Sequence, residues 1–140
     1  MSDQKALKQI IELYNTFNIF YYDKQCVPEN EKLQLNFKLL GKDPGHREGH
    51  TTFTFNEKEN AAEITIQIKR ELAQGKKSLH LCAVILHEMV HAYLFANNIF
   101  ELNEDKTEAI HGDKFHEIAK THGLQDGLIM PDEIISYLFG

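Results

Sequence analysis

The chain has 140 residues, of which 42% are hydrophobic and 10% aromatic, and its formal net charge is −6 at pH 7. This length and composition predict one domain, residues 1–140, with enough apolar side chains to bury a core, and they exclude a disordered chain. The negative net charge argues against general binding of nucleic acid, because binding to the phosphate backbone requires an excess of Lys and Arg.

The first half of the chain predicts a helix followed by a small sheet. Apolar residues recur at helical spacing over residues 3–18, with Ser2 or Asp3 as the candidate N-cap. Apolar and polar residues then alternate over 33–39, 51–55 and 64–68, which predicts three strands. We expect these strands to form one sheet, mostly antiparallel.

The second half predicts three helices. Ser78 is the candidate N-cap of a helix over residues 79–97 that is apolar around most of its circumference, as in a central, buried helix. A polar loop, 101–107, precedes a helix over about 111–121, and Pro131 opens a short C-terminal helix. The predicted fold class is therefore α+β.

No segment of the sequence predicts secretion or a membrane span. The N-terminal residues lack the apolar region of a signal peptide, and no apolar stretch reaches the ~20 residues that a span needs. Cys26 and Cys82 form neither a Cys-x-x-Cys zinc motif nor a disulfide framework, so we expect reduced, packed thiols. We predict a cytoplasmic protein with no membrane partner.

The central helix carries the sequence His87-Glu88-Met89-Val90-His91. Residues i and i+4 lie one turn apart on one helix face, so His87 and His91 can direct imidazole nitrogens at one metal ion. Glu88 is turned away from that face and can meet a metal-bound water without ligating the metal. Three ionisable groups in so apolar a helix are costly without a partner, which favours a metal site over hydrogen-bonded core histidines.

A catalytic zinc site needs a third protein ligand and an open position. The remaining histidines are the candidates: His46, His50, His80, His111, His116 and His122. His80 lies two turns before His87, about 10 Å along the helix axis, and is too far away. His111 lies on the predicted inner face of the next helix, beside Gly112, where the backbone can approach an ion closely. We therefore assign the third position to His111, with His116 as the alternative.

These motifs resemble those of the SprT-like family of zinc metallopeptidases. The segment from Leu86 to Phe95 is similar to the family's His-Glu-x-x-His-Ala pattern, and His111-Gly-Asp-Lys-Phe115 is similar to its His-Gly-x-x-Phe pattern. The resemblance implies a zincin-like fold and one Zn²⁺ per chain held by His87, His91 and His111. It also implies that Glu88 is the catalytic base of a peptidase acting on a protein or peptide substrate.

The chain departs from the family pattern at two places. Asp113-Lys114 stands where relatives often have Pro-Glu, and no Cys-rich zinc ribbon or basic segment follows the second motif before Gly140. An association with DNA is therefore allowed by the resemblance but is not supported by the net charge.

Several residues are candidates for accessory roles, which the sequence leaves open. The developing oxyanion needs a second electrophile, for which the candidates are Tyr21, Tyr22, His50, His116 and Tyr137. Glu104, Asp105 and Glu108 are expected to form a solvated acidic loop, with a hydrogen bond to a ligand imidazole as the alternative. Met130 is expected to fill a gap rather than to form a methionine turn. An extended substrate would pair with an edge strand, either 51–55 or 64–68.

Two other functions compete with a peptidase. The same metal, water and carboxylate would serve a zinc hydrolase that acts on a bond other than a peptide bond. A zinc-stabilised binding module without catalysis is the second alternative. Glu88 argues against that alternative, because a structural zinc site prefers four protein ligands and has no use for a carboxylate that does not bind the metal.

Overall fold

The computed structural model of the protein describes residues 1–42, 45 and 47–121. Within them the chain forms four helices and one three-stranded sheet, which confirms the α+β class. The elements are α1 (Asp3–Phe20), β1 (Leu33–Leu40), β2 (Gly49–Asn56), β3 (Ala61–Lys69), α2 (Arg70–Ala73), α3 (Leu79–Ala96) and α4 (Asp113–Thr121). The predicted C-terminal helix lies outside the described residues, as do His46, His122, Met130 and Tyr137.

Local capping interactions set the starts of the two long helices. The Ser2 hydroxyl accepts a hydrogen bond from the backbone N–H of Lys5 at 3.2 Å, and the Ser78 hydroxyl accepts one from Leu81 at 3.1 Å. Both serines satisfy backbone donors that have no partner within the helix. The short helix α2 was not predicted, because four residues are too few to show a helical period.

The sheet is mixed, with the strand order β1-β3-β2. β2 pairs with β3 antiparallel, whereas β1 pairs with β3 in parallel, so the expectation of a mostly antiparallel sheet is wrong for β1. Alternation shows which residues share a face but not which strands are neighbours. β3 is the central strand and the most buried of the three, with Ile64, Ile66 and Ile68 all buried.

Helix α3 lies at the centre of the core, against α1 and one face of the sheet. It is long and apolar enough to cross a membrane by composition alone, but 72% of it is buried inside the protein. Glu88 and His91 are buried along with its apolar residues, so the fold places these two ionisable side chains between the helix and its neighbours.

Candidate metal centre

Three imidazoles converge beside α3. His87 and His91 lie on successive turns with ring centroids 5.8 Å apart, and the His111 ring lies 4.8 Å from the first and 5.1 Å from the second. One nitrogen from each of the three rings lies within 4.8 Å of the others, and in the described part of the chain no other group of this kind occurs. The three histidines are therefore positioned to bind a metal ion.

The spacing and protonation of this cluster suit a metal. Nitrogen ligands of a tetrahedral zinc ion, at bond lengths of about 2.0–2.1 Å, are roughly 3.3 Å apart, and the Nε2 atoms of His87 and His111 are 3.1 Å apart. Burial and the neighbouring His111 lower the pKa of His87 to about 4, and burial lowers the pKa of His91 and of His111. The imidazoles are thus neutral near pH 7, which is the form that binds metals.

Glu88 lies beside the cluster with its two oxygens in different surroundings. Its side chain is buried, and Oε1 accepts a hydrogen bond of 2.8 Å from the hydroxyl of Thr51, which is also buried. Oε2 lies 3.9 Å from Nε2 of His87. Burial raises the pKa of Glu88 to about 7, against the opposing effects of Thr51 and Arg47. The contact with His87 is not an ion pair near neutral pH, because that imidazole is neutral.

The first residue of β2 allows the sheet to approach Glu88. A Cβ added to Gly49 would lie 2.8 Å from Cγ1 of Val84 and 2.9 Å from Oε2 of Glu88, closer than side-chain atoms pack. Glycine at this position therefore lets β2 pass directly over α3, and the same approach brings Thr51 within hydrogen-bonding distance of the carboxylate.

Phe115 supports the three imidazoles from one side. Its ring stacks on His111 at a centroid distance of 4.1 Å with an interplanar angle of 9°, and on His91 at 4.5 Å. It also lies 5.1 Å from the ring of His87. Since Phe115 is buried, these contacts limit the orientations that the imidazoles can adopt.

His111 precedes α4 rather than opening it, because the helix begins at Asp113. The segment is held by Glu101, whose carboxylate oxygens accept hydrogen bonds from the backbone N–H groups of Lys114 and Phe115 at 3.0 and 2.8 Å. A Cβ on Gly112 would overlap this carboxylate. The glycine therefore makes room for Glu101, a contact that the sequence analysis did not predict.

The comparison with known families fits this arrangement. The family model described as the SprT-like family matches residues 10–130, a span that includes the three histidines, Glu88 and Phe115. The chain belongs to the SprT-like family. The resemblance seen in the sequence is thereby confirmed, while no curated protein gives a match to the chain.

Among the described residues, the alternative ligands of the SprT-like chain lie outside the cluster. His116 is exposed on α4, with its ring centroid 6.4 Å from that of His111. His80 is exposed at the start of α3, where its Nε2 lies 2.6 Å from Oε2 of Glu48. His50 lies on β2, where its Nε2 is 3.1 Å from Oε1 of Glu108.

The acidic residues before His111 have two kinds of surroundings. Glu108 lies beside His50 and within 3.8 Å of Arg47, whereas Glu104 and Asp105 are exposed, as expected of a solvated acidic loop.

The carboxylate that binds the backbone of the second SprT-like motif, His111 to Phe115, is that of Glu101, which the sequence analysis did not single out. The signal was Gly112 at the head of a helix, because a glycine in the capping position has no side chain to satisfy the first N–H groups.

The candidates for oxyanion stabilisation differ in their surroundings. Tyr22 is buried, and its hydroxyl donates a hydrogen bond of 3.2 Å to the backbone carbonyl of Leu86, so that it belongs to the core. Tyr21 packs edge-on against it at 5.4 Å. His50 is close enough to His91 to help lower the pKa of that imidazole. The two histidine candidates for oxyanion stabilisation differ in the same way. His50 is held by its contact with Glu108, whereas His116 is exposed.

Proposed function

We propose that this SprT-like chain is a zinc-dependent endopeptidase with a zincin-like site, in which His87, His91 and His111 hold one Zn²⁺ and Glu88 is the catalytic base. The observation that carries the proposal is the convergence of three neutral imidazoles beside one buried carboxylate. Three protein ligands leave a fourth position open, which distinguishes a catalytic from a structural zinc site.

The proposed reaction divides the work between the metal and the protein. Zinc, when bound, supplies Lewis acidity to the attacking water and to the scissile carbonyl. Glu88 accepts the proton of that water and delivers it to the leaving amine. Its Oε1 is held by Thr51, and its Oε2 is the oxygen nearer to His87, so the proton transfers are assigned to Oε2.

The proposed substrate is a protein or peptide bound in an extended conformation. Of the two predicted candidates for the pairing strand, residues 64–68 belong to β3, which is the central strand and has no open edge. β2 is an edge strand, but its outer side is already bonded where Phe53 donates to the carbonyl of Thr107 and Thr51 accepts from Ala109. A substrate would therefore pair with β2 at Gly49, the end beside Glu88.

The remaining expectations stay proposals of the same kind. We propose one domain over residues 1–140 and a cytoplasmic location, while an association with DNA rests on the family resemblance alone. None of these bears on the chemistry of the metal centre.

The test combines metal analysis with cleavage of an unfolded protein substrate. Wild type is expected to contain one zinc per chain and to cleave, and Glu88→Gln is expected to keep zinc and lose cleavage. His111→Ala is expected to lose zinc, and His116→Ala, the matched control on the neighbouring helix, is expected to keep it. Loss of zinc only in the His116 variant would overturn the ligand assignment.

The same experiment separates the competing functions. A zinc protein that hydrolyses simple esters through Glu88 but cleaves no polypeptide would indicate a hydrolase of another class. A zinc protein that unfolds when the metal is removed, and whose metal has no exchangeable water, would indicate a binding module.

A further inference from the structure

Helix α4 begins after a residue that has no side chain to cap it, Gly112. The first intrahelical hydrogen bond runs from the N–H of His116 to the carbonyl of Gly112 at 3.1 Å, which puts Gly112 in the capping position. A capping side chain normally accepts from the second or third N–H of the helix, here Lys114 and Phe115. Glu101, from the loop after α3, occupies the place of that side chain.

We propose that Glu101 is a positioning residue for His111, and that it holds the third metal ligand in reach of His87 and His91. The inference rests on the proposed metal site but not on the proposed reaction. The carboxylate binds the segment just after His111, and the backbone carbonyl of Glu101 accepts a hydrogen bond from the N–H of Ile110, just before His111, at 3.1 Å. One residue thus holds the chain on both sides of the ligand.

The attachment extends to the ring that supports the ligand. The shortest bond of the Glu101 carboxylate, 2.8 Å, is to the N–H of Phe115. The ring of that residue stacks on His111 and His91. Fixing the backbone of Phe115 therefore fixes the surface against which two of the three imidazoles rest. A carboxylate at a helix N-terminus also interacts favourably with the helix dipole.

Glu101 is itself held by the sheet. The next residue, Leu102, is bridged antiparallel to Ala109, and Glu108 is bridged to Thr52 of β2. This pairing connects the loop after α3 to the edge of the sheet that contacts Glu88. The position of His111 is therefore defined relative to both α3 and β2, although the ligand lies outside any helix or strand.

The first experiment measures zinc affinity by competition with a chelating dye in wild type and Glu101→Gln. Glutamine keeps the shape but presents only one oxygen to two N–H donors. We expect zinc to bind roughly ten-fold more weakly, at the lower end of the range for residues that orient metal ligands. Glu104→Gln, an exposed residue of the same loop, is the matched control and is expected to bind zinc as wild type does.

A double-mutant cycle distinguishes positioning from a general structural role. In a His111→Ala background zinc can bind only weakly, through His87 and His91, so Glu101→Gln is expected to cause no further loss of this residual zinc affinity at raised zinc concentration. An equal loss in both backgrounds, or no loss in either, would overturn the inference. Circular dichroism and the unfolding midpoint of each metal-free variant establish that the affinities compare folded proteins.

A second cycle tests the contact with Gly112. A Cβ at this position would lie 2.6 Å from Cδ of Glu101, so Gly112→Ala is expected to displace the carboxylate and to weaken zinc binding as much as Glu101→Ala does. The double variant is expected to bind zinc little more weakly than either single variant does. Additive losses of zinc affinity would contradict the proposed contact between Gly112 and Glu101.

The outcomes also separate this inference from the proposed function. A wild-type protein that binds no zinc would overturn both. A protein that binds zinc and cleaves nothing would overturn the peptidase alone, and the two cycles would still decide the role of Glu101.

Discussion

Replacing Glu88 by Gln should stabilise the metal-free protein at alkaline pH. Burial raises the pKa of this carboxyl from an ordinary value of 4.5 to about 7. The folded state therefore holds the proton more tightly than the unfolded state does, and this contribution to stability is complete below pH 4.5 and is lost as the pH rises through 7. Above that pH the folded protein carries a buried negative charge that Gln lacks.

The size of the effect follows from the shift in pKa. A difference of roughly 2.5 units, at 1.36 kcal/mol per unit, corresponds to about 3 kcal/mol as an upper bound for the destabilisation by ionised Glu88. The Gln carbonyl can accept the hydrogen bond that Thr51 now donates to Oε1, so the Thr51 hydroxyl keeps its acceptor. We expect the variant to gain about 2–3 kcal/mol at about pH 8 and almost nothing at about pH 4.5.

The assay is urea unfolding in the presence of a chelator, with wild type and Glu88→Gln compared at each pH. Protonation of the histidines at low pH affects both proteins and cancels in the difference. Glu63→Gln, an exposed position on β3, is the control and is expected to change the free energy of unfolding by less than about 0.5 kcal/mol at either pH. A difference between Glu88→Gln and wild type that is independent of pH, or that shrinks as the pH rises, would refute the argument.

Three further predictions concern the surroundings of the site and the thiols. Thr51→Val, which removes the hydroxyl that donates to the buried Glu88 carboxylate, should lower the free energy of unfolding of the metal-free protein at neutral pH by about 1–3 kcal/mol in urea, and Thr51→Ser should restore most of it. Gly49→Ala should lower the free energy of unfolding by about 1–3 kcal/mol, because the added Cβ would overlap side chains of α3. Gly75→Ala is the control, since the atom nearest to its Cβ would be 3.8 Å away, and it should leave the stability unchanged. Equal losses in the two variants would contradict the close approach of β2 to α3. Burial raises the pKa of the Cys82 thiol to about 11 and that of Cys26 still further, so both should react with a disulfide reagent only after unfolding, and rapid labelling of the native protein would refute this.

The features that the sequence predicted well are those that depend on neighbouring residues. The start of α3 follows from a serine cap at Ser78, and the helix and its burial follow from an apolar pattern that is local in the chain. The pairing of His87 with His91 follows from the pitch of one helix. None of these required knowledge of what the helix packs against.

The features that the sequence did not predict depend on contacts between distant segments. The order of the strands places β1 beside β3, and alternation within each strand carries no information on that choice. The hydrogen bond from Thr51 to Glu88 joins residues 37 positions apart, and it arises because Gly49 lets the sheet approach the helix.

His111 shows how a correct juxtaposition can be predicted without the contact that holds it in place. The sequence favoured it because it shares the apolar face of the predicted helix with Phe115 and because a glycine beside it would let the backbone approach an ion, but that glycine faces Glu101. His111 lies in the cluster where a carboxylate from the preceding loop, that of Glu101, binds the first N–H groups of the next helix and holds the backbone of Phe115, whose ring stacks on His111. Gly112 and Phe115 are thus explained by a residue ten positions or more before them. Gly112 and Phe115 of the His-Gly-x-x-Phe pattern contact Glu101, which lies outside the pattern, so the pattern alone does not reveal the contact.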